Sequence, residues 1–330
     1  VADFSILLFL VIGLALLFDF SNGWHDSANA IATVVSTRVL SPLTAVVFAG
    51  VLNVAGAFMS TAVAKMVGKG IIDPSAVNDV VIISALGGAI IWNFITLNMG
   101  LPSSSSHALI GGMVGSGFIH GGLDVLQVTG LLKVLKAMVF SPFFGFLIAF
   151  VLMVVLSWVF FRTQRGVAMV LFRRLQLVSA GFMALSHGAN DAQKAMGIIT
   201  LALLSAGHIP SAEVPQWVII SCALAMGLGT VLGGWKIIRT LGMGIAKLEP
   251  VHGFAAETGA AVVLMATAHI GLPVSTTHTI TSAVMGVGAV NRLSAVRWGV
   301  TRRIVYAWLC TLPGSAFLAI GLYLLLSAIL

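Results

Sequence analysis

A chain of 330 residues that is 59% hydrophobic and 8% charged is not an ordinary soluble protein, since soluble domains are about a quarter charged. Uncharged runs such as 143–161 (FFGFLIAFVLMVVLSWVFF) and 304–330 reach the roughly 20 residues that cross a bilayer. They indicate an all-α polytopic membrane protein and exclude an outer-membrane barrel, whose strands alternate in segments of about ten residues. The net charge of +7 comes from 17 Lys and Arg against 10 Asp and Glu. Arg162, Arg165, Arg173, Arg174, Arg292, Arg297, Arg302 and Arg303 stand at the ends of apolar runs. That is the pattern of positive-inside anchoring, so the bilayer is the expected partner and nucleic acid is not.

In chain order, an apolar segment at 4–21 flows into NGWHDSANA (22–30). It reads as a first transmembrane segment, not a cleaved leader. Segments near 43–64 and 79–99 follow. Residues 124–140, with Lys133 and Lys136 ahead of a Ser141-Pro142 break, read as an amphipathic interfacial helix. A span at 142–161 leads to RTQRGVAMVLFRR (162–174), the most basic connection, which is expected to face the cytoplasm. Further apolar segments lie near 176–186, 195–207, 216–235, 254–270 and 304–328. Cys222 and Cys310 sit in apolar runs without metal-ligand spacing.

The chain repeats itself. GLPSSSSHALIGGMVGSG (100–117) matches GLPVSTTHTITSAVMGVG (271–288) at Gly100/Gly271, Leu101/Leu272, Pro102/Pro273, Ser104/Ser275, His107/His278, Gly115/Gly286 and Gly117/Gly288. NGWHDSANA matches HGANDAQKA (187–195) at Gly23/Gly188, Asp26/Asp191 and Ala30/Ala195. Two motifs recurring in one order divide the chain into an N-terminal repeat (1–160), a basic connecting loop (161–175) and a C-terminal repeat (176–330). Duplication of this kind points to a transporter with its site at the repeat interface.

Gly-Leu-Pro stops a helix, and proline suits the start of the next. The short segments after it suit arms of re-entrant hairpins, near 100–118 and 271–289. Helices starting there aim free N–H groups and a positive dipole end inward. With the hydroxyls of Ser104, Ser105, Ser106, Ser275, Thr276 and Thr277 they suit a tetrahedral oxyanion. Helix capping and close packing is the competing reading, and the duplication weighs against it.

Asp3, Asp73, Asp79, Asp124, Glu213 and Glu249 lie near segment ends. Asp19, Asp26, Asp191 and Glu257 adjoin apolar sequence on both sides, where a carboxylate costs roughly 2.5–3.5 kcal/mol. Asp26 and Asp191 repeat, whereas Asp19 is matched by Ala184. Gly, Asn and Ser around both aspartates suggest locally unwound helix with exposed carbonyls. Asn29 and Asn190 would add amide oxygens to a cation site. Lys194, opposite Asn29, would weaken such a site, pair with Asp191 or hold an anion. His107 and His278 suit a proton relay and equally a structural hydrogen bond. There is no HExxH and no Gly-x-Ser-x-Gly elbow, so neither a catalytic metal nor a hydrolase is indicated.

NGWHDSANA and HGANDAQKA resemble the paired signatures of the inorganic phosphate transporter (PiT) family, and GLPSSSSH and GLPVSTTH look like its hairpin motifs. NGWHDSANAIATVVSTRVL and HGANDAQKAMGIIT are most similar to the bacterial low-affinity branch. Glu257 in FAAETGAA matches a family carboxylate. The resemblance implies two inverted repeats with broken helices and re-entrant hairpins, phosphate between the hairpins, secondary symport, a homodimer and an inner (cell) membrane location. Phosphate would be bound by the six hydroxyls and Lys194, and the coupling ion or metal by Asp26, Asn29, Asn190, Asp191 and Glu257. The family's sodium-coupled members carry Asn-Asp with a further Asn three residues on in both signatures. His25 and Lys194 depart from that. The bacterial branch is associated with proton-coupled uptake, often of a neutral divalent metal–phosphate complex. The expectation is a proton-coupled phosphate symporter without a cofactor, with H+, Na+ or a divalent metal as cargo. A sodium-coupled symporter is the alternative, ahead of a sulfate carrier or an anion channel.

Overall fold

The structure, a computed structural model, describes residues 6–73, 77–290 and 292–329; Asp3 falls outside them. Among the described residues there are twelve α-helices and no strand. The first six are α1 (Ile6–Ser36), α2 (Pro42–Ala57), α3 (Ala62–Gly70), α4 (Asp79–Met99), α5 (Ser105–Gly121) and α6 (Val128–Val159). The second six are α7 (Arg165–Ser205), α8 (Gln216–Leu232), α9 (Trp235–Arg239), α10 (Pro250–His269), α11 (Thr276–Ala289) and α12 (Trp298–Ser327). α9 runs on into a π-turn, Thr240–Gly244. Six of these helices are long and apolar enough to cross a membrane, and the bent pairs at α2–α3 (75°) and α8–α9 (62°) make up to eight spans.

The packing follows the repeat. α1 packs on α8 as α7 packs on α2; α5 packs on α12 as α11 packs on α6. The hairpins α4–α5 and α10–α11 lie between these groups. α6 and α12 present large apolar side chains outward, among them Phe140, Phe144, Leu147, Leu309 and Phe317, as lipid-facing helices do.

α1 and α7 run antiparallel. Asp26 lies beside His187 and Asp191, while Thr37, further along α1, donates to Gln176, further back along α7, at 2.9 Å. The end of α6 meets the start of α7 through Phe160 and Phe172, whose rings are 5.0 Å apart. Arg165 pairs with Glu249 at 2.9 Å, Arg173 donates to the Arg38 carbonyl at 2.9 Å, and Arg297 to the Met243 carbonyl at 3.0 Å. The ends of α1 and α6 and the starts of α7, α10 and α12 thus share one face. That face is rich in exposed arginine, the feature on which the expectation of a cytoplasmic side rests.

Three expectations are corrected. α1 and α7 pass through the aspartate motifs as unbroken helix. Their glycines serve close crossing instead: a Cβ on Gly23 would lie 2.2 Å from the Met226 carbonyl, and one on Gly188 would lie 2.2 Å from the Asn53 carbonyl. α6 continues through Pro142 as one 32-residue helix, because ending a helix in lipid strands more backbone groups than one proline removes. The basic connecting loop is shorter than 161–175, since α7 already starts at Arg165. Arg165, Arg173 and Arg174 sit on the exposed face of α7, and Arg162 in the turn before it.

Candidate functional site at the hairpin tips

Each hairpin turns by the same local code. Gly100 (φ 65°) and Gly271 (φ 71°) adopt the left-handed conformation that ends a helix. A proline follows, and then a serine caps the next helix. Ser104 accepts from the His107 N–H at 3.2 Å, and Ser275 accepts from the His278 N–H at 3.1 Å. The first-turn N–H groups of α5 and α11 have no intrahelical acceptor, and both turns are buried.

The two tips meet. Ser106 Oγ donates to the Val274 carbonyl at 3.1 Å, and the His107 and His278 rings contact edge to face at 4.5 Å. His278 also stacks on Trp308 at 3.9 Å, and Trp308 Nε1 donates to the Pro102 carbonyl at 3.0 Å. Two positive helix ends, each worth about half a charge, therefore converge, with the Ser105 hydroxyl on one tip and the Thr276 and Thr277 hydroxyls on the other turned to Asn29 and Asp191. Among the described residues Ser105 Oγ and both His107 ring nitrogens have no hydrogen-bond partner. The tips close on each other.

Beside the tips, α1 and α7 turn their most polar faces together. Asn29 Nδ2 donates to Thr276 at 3.1 Å and to Thr277 at 2.9 Å. Thr276 donates to Asp191 at 3.2 Å. Lys194 Nζ lies 2.6 Å from Asp191 Oδ1, and His187 Nε2 lies 3.6 Å from Oδ2. Asp26 pairs with His25 Nδ1 at 2.6 Å, and His25 Nε2 reaches Thr96 on α4 at 3.0 Å. Ligand atoms of Asp26, His187 and Asp191 lie within 4.8 Å of one another, all buried.

The predicted residues do not all assemble. Lys194, Asp191, Asp26, Asn29 and the hydroxyls of Thr276 and Thr277 come together at the tips. Asn190 is buried in α7 beside them, but neither amide atom has a hydrogen-bond partner among the described residues. Glu257 lies outside this group. It accepts from Thr33 at 2.6 Å, from Gln176 at 3.0 Å and from Ser179. His107 and His278 lie at the interface, touching each other and not the carboxylates. Sequence reasoning noted His25 only as a departure from the sodium-coupled signature and passed over Thr96, Thr33, Gln176 and Ser179. The signal was present on α1, where Asp19, Asn22, Asp26, Asn29, Thr33 and Thr37 recur at helical spacing and share one buried face.

Comparison with known proteins bears on the family and the overall fold. A model of the phosphate transporter family matches residues 22–319. A probable low-affinity inorganic phosphate transporter of Rhizobium meliloti is 51% identical over 94% of this chain and 93% of its own. One from Bacillus subtilis is 47% identical over 98% of both. A solved structure, "The sodium-dependent phosphate transporter", superposes with a TM-score of 0.92 at 26% identity, covering 99% of this chain and 100% of that one. The family match over most of the length, on a scaffold of membrane-spanning helices, is decisive: the chain belongs to the phosphate transporter family, as a multi-pass protein of the cell membrane and a carrier, not an enzyme.

Proposed function

We propose that this protein is a proton-coupled symporter of inorganic phosphate, with the anion held between the tips of α4–α5 and α10–α11. One observation carries the choice of coupling ion. Each repeated aspartate already has a basic partner within 2.6 Å, His25 at Asp26 and Lys194 at Asp191. A sodium ion at Asp191 would have to displace an ammonium, and like charges in a dry site repel strongly. Phosphate is favoured over sulfate because it still carries a proton near neutral pH and can donate to a carboxylate. Carriage as a neutral metal–phosphate complex belongs to the same reading, because a metal whose charge the phosphate already offsets does not meet the Lys194 ammonium as a free cation does.

We further propose that the halves are inverted repeats, which antiparallel α1 and α7 support. Alternating access would then be a rocking of one repeat against the other. The sodium-coupled alternative keeps one argument, the printed name of the structural neighbour.

Radiolabelled phosphate uptake into proteoliposomes, under an imposed proton or sodium gradient, separates these readings. Uptake driven by the proton gradient alone is expected. A strict sodium requirement without pH response would overturn proton coupling, and no uptake by folded protein would overturn transport. The Asp26→Asn variant is expected to fall to background while eluting as a single folded species. Wild-type uptake by it would remove Asp26 from the pathway.

A further inference from the structure

Nine buried residues of α1 lie on one helical face: Leu8, Val11, Ala15, Asp19, Asn22, Asp26, Asn29, Thr33 and Thr37. The first three are apolar and the next six are polar. The matching positions on α7 are Arg173, Gln176, Ala180, Ala184, His187, Asp191, Lys194, Ile198 and Ala202. Because α1 and α7 run antiparallel, their polar ends coincide and so do their apolar ends. Thr33 and Thr37 stand with Gln176, Ser179 and Glu257 toward the arginine-rich face. Leu8, Val11, Ala15, Ile198 and Ala202 belong to one apolar cluster toward the opposite face, which is the outer one when the arginine-rich face is cytoplasmic. The two access routes are therefore unlike, one polar and one greasy.

Asp19 stands at the border, the last polar group before the apolar seal. It is fully buried, and neither carboxylate oxygen has a hydrogen bond of ordinary geometry among the described residues. Asn22, one turn on along α1, is the side-chain amide that acts on it. From α7, Asp191 and Lys194 act on it electrostatically; from α8 the Cys222 thiol faces it; α4, also packed on α1, brings uncharged Asn93 to Ser21. Asp26, Asp191 and Glu257 each have partners. A carboxylate buried without an ion pair of its own is costly as an anion, so the neutral acid suits the site. Asp19 and Lys194 are also alike in breaking the repeat. Neither has a counterpart in the other repeat, where Ala184 and Asn29 stand instead.

We propose that Asp19 is the coupling acid, the carboxyl that takes the co-transported proton from the outer side and shares the field of Lys194 with Asp191. When Asp19 is ionised, two carboxylates compete for one ammonium. When it is protonated, Lys194 is left to Asp191 and the incoming phosphate, so proton and anion load together. Release of the proton inward restores the competition and expels the anion. This inference rests on the proton-coupled reading above.

The test compares two modes of transport by Asp19→Asn in proteoliposomes. Asparagine imitates the protonated acid, so exchange of internal for external phosphate at equal pH is expected to continue at a rate comparable to wild type. Accumulation driven by a pH difference is expected to vanish. With one proton per phosphate and one pH unit, wild type should reach about tenfold accumulation and the variant about one. Asp19→Glu restores an acid and should recover accumulation, with size-exclusion elution checking the fold of both. Accumulation by Asp19→Asn at the wild-type level would overturn the proposal. So would loss of exchange as well as accumulation by folded variant, since Asp19 would then serve the phosphate site itself. A wild-type protein that ignores the pH gradient and follows sodium overturns the broader reading, a result visible before any variant is made.

Discussion

At the scale of single residues, Lys194 organises the site. It replaces the amide that the first repeat carries at Asn29, and it lies 2.6 Å from Asp191 with both side chains buried. Truncating one member of a buried pair costs about 3–5 kcal/mol, because the other charge is left uncompensated. Lys194→Asn would make the second signature resemble the first. Its proton-driven uptake is expected to fall to background, with partial recovery when sodium is added to fill the place of the ammonium. Uptake measured at a fixed pH gradient, with and without sodium, checks this. Wild-type rates without sodium would mean that Lys194 does not hold the site. Glu257 acts differently, since three donors satisfy it and none of them comes from the hairpin tips. Its donors set it apart from the hairpin tips, toward the arginine-rich face.

At the scale of elements, the glycines of the two signatures explain how α1 and α7 reach the centre. Gly23 abuts α8 and Gly188 abuts α2, each where a Cβ would lie 2.2 Å from a backbone carbonyl. Backbone cannot yield as a flexible side chain can, so either substitution must push two helices apart. Gly23→Ala and Gly188→Ala are expected to destabilise by about 1–3 kcal/mol, as overpacking does. Gly13→Ala, with nothing within 4 Å of its Cβ, should not. Thermal unfolding of the purified variants decides, and an unchanged midpoint for Gly23→Ala would refute the close crossing. The same glycines mark how far sequence reasoning reaches. Gly-Leu-Pro-x-Ser encodes stop, turn and cap within its own five residues, so both hairpin tips were legible. Gly, Asn and Ser in NGWHDSANA fit an unwound segment and a tight crossing equally well. The partner helix α8 decides between them, and it lies some 200 residues away in sequence. Arginines at 162–174 misled for a related reason, because a helix with charge on its exposed face and a basic loop share a composition.

At the scale of the whole molecule, the repeat relation predicts sidedness. If the halves are inverted, equivalent connections must emerge on opposite faces. The link from α5 to α6 and the link from α11 to α12 are such a pair. α6 ends beside the start of α7 on the arginine-rich face, so it begins on the other, and the link at Asp124 belongs there. The link at Arg292 leads into α12, whose start is tied to Met243 through Arg297 on the arginine-rich face. Asp124→Cys and Arg292→Cys, each with Cys222 and Cys310 replaced by serine, test this with a membrane-impermeant maleimide. Asp124→Cys should label in intact cells, and Arg292→Cys only after permeabilisation. Reversed labelling of both would keep the inversion and invert the orientation, placing Asp19 on the inner side of the site. Labelling of both from one face would mean that the repeats are parallel, and antiparallel α1 and α7 would need another explanation.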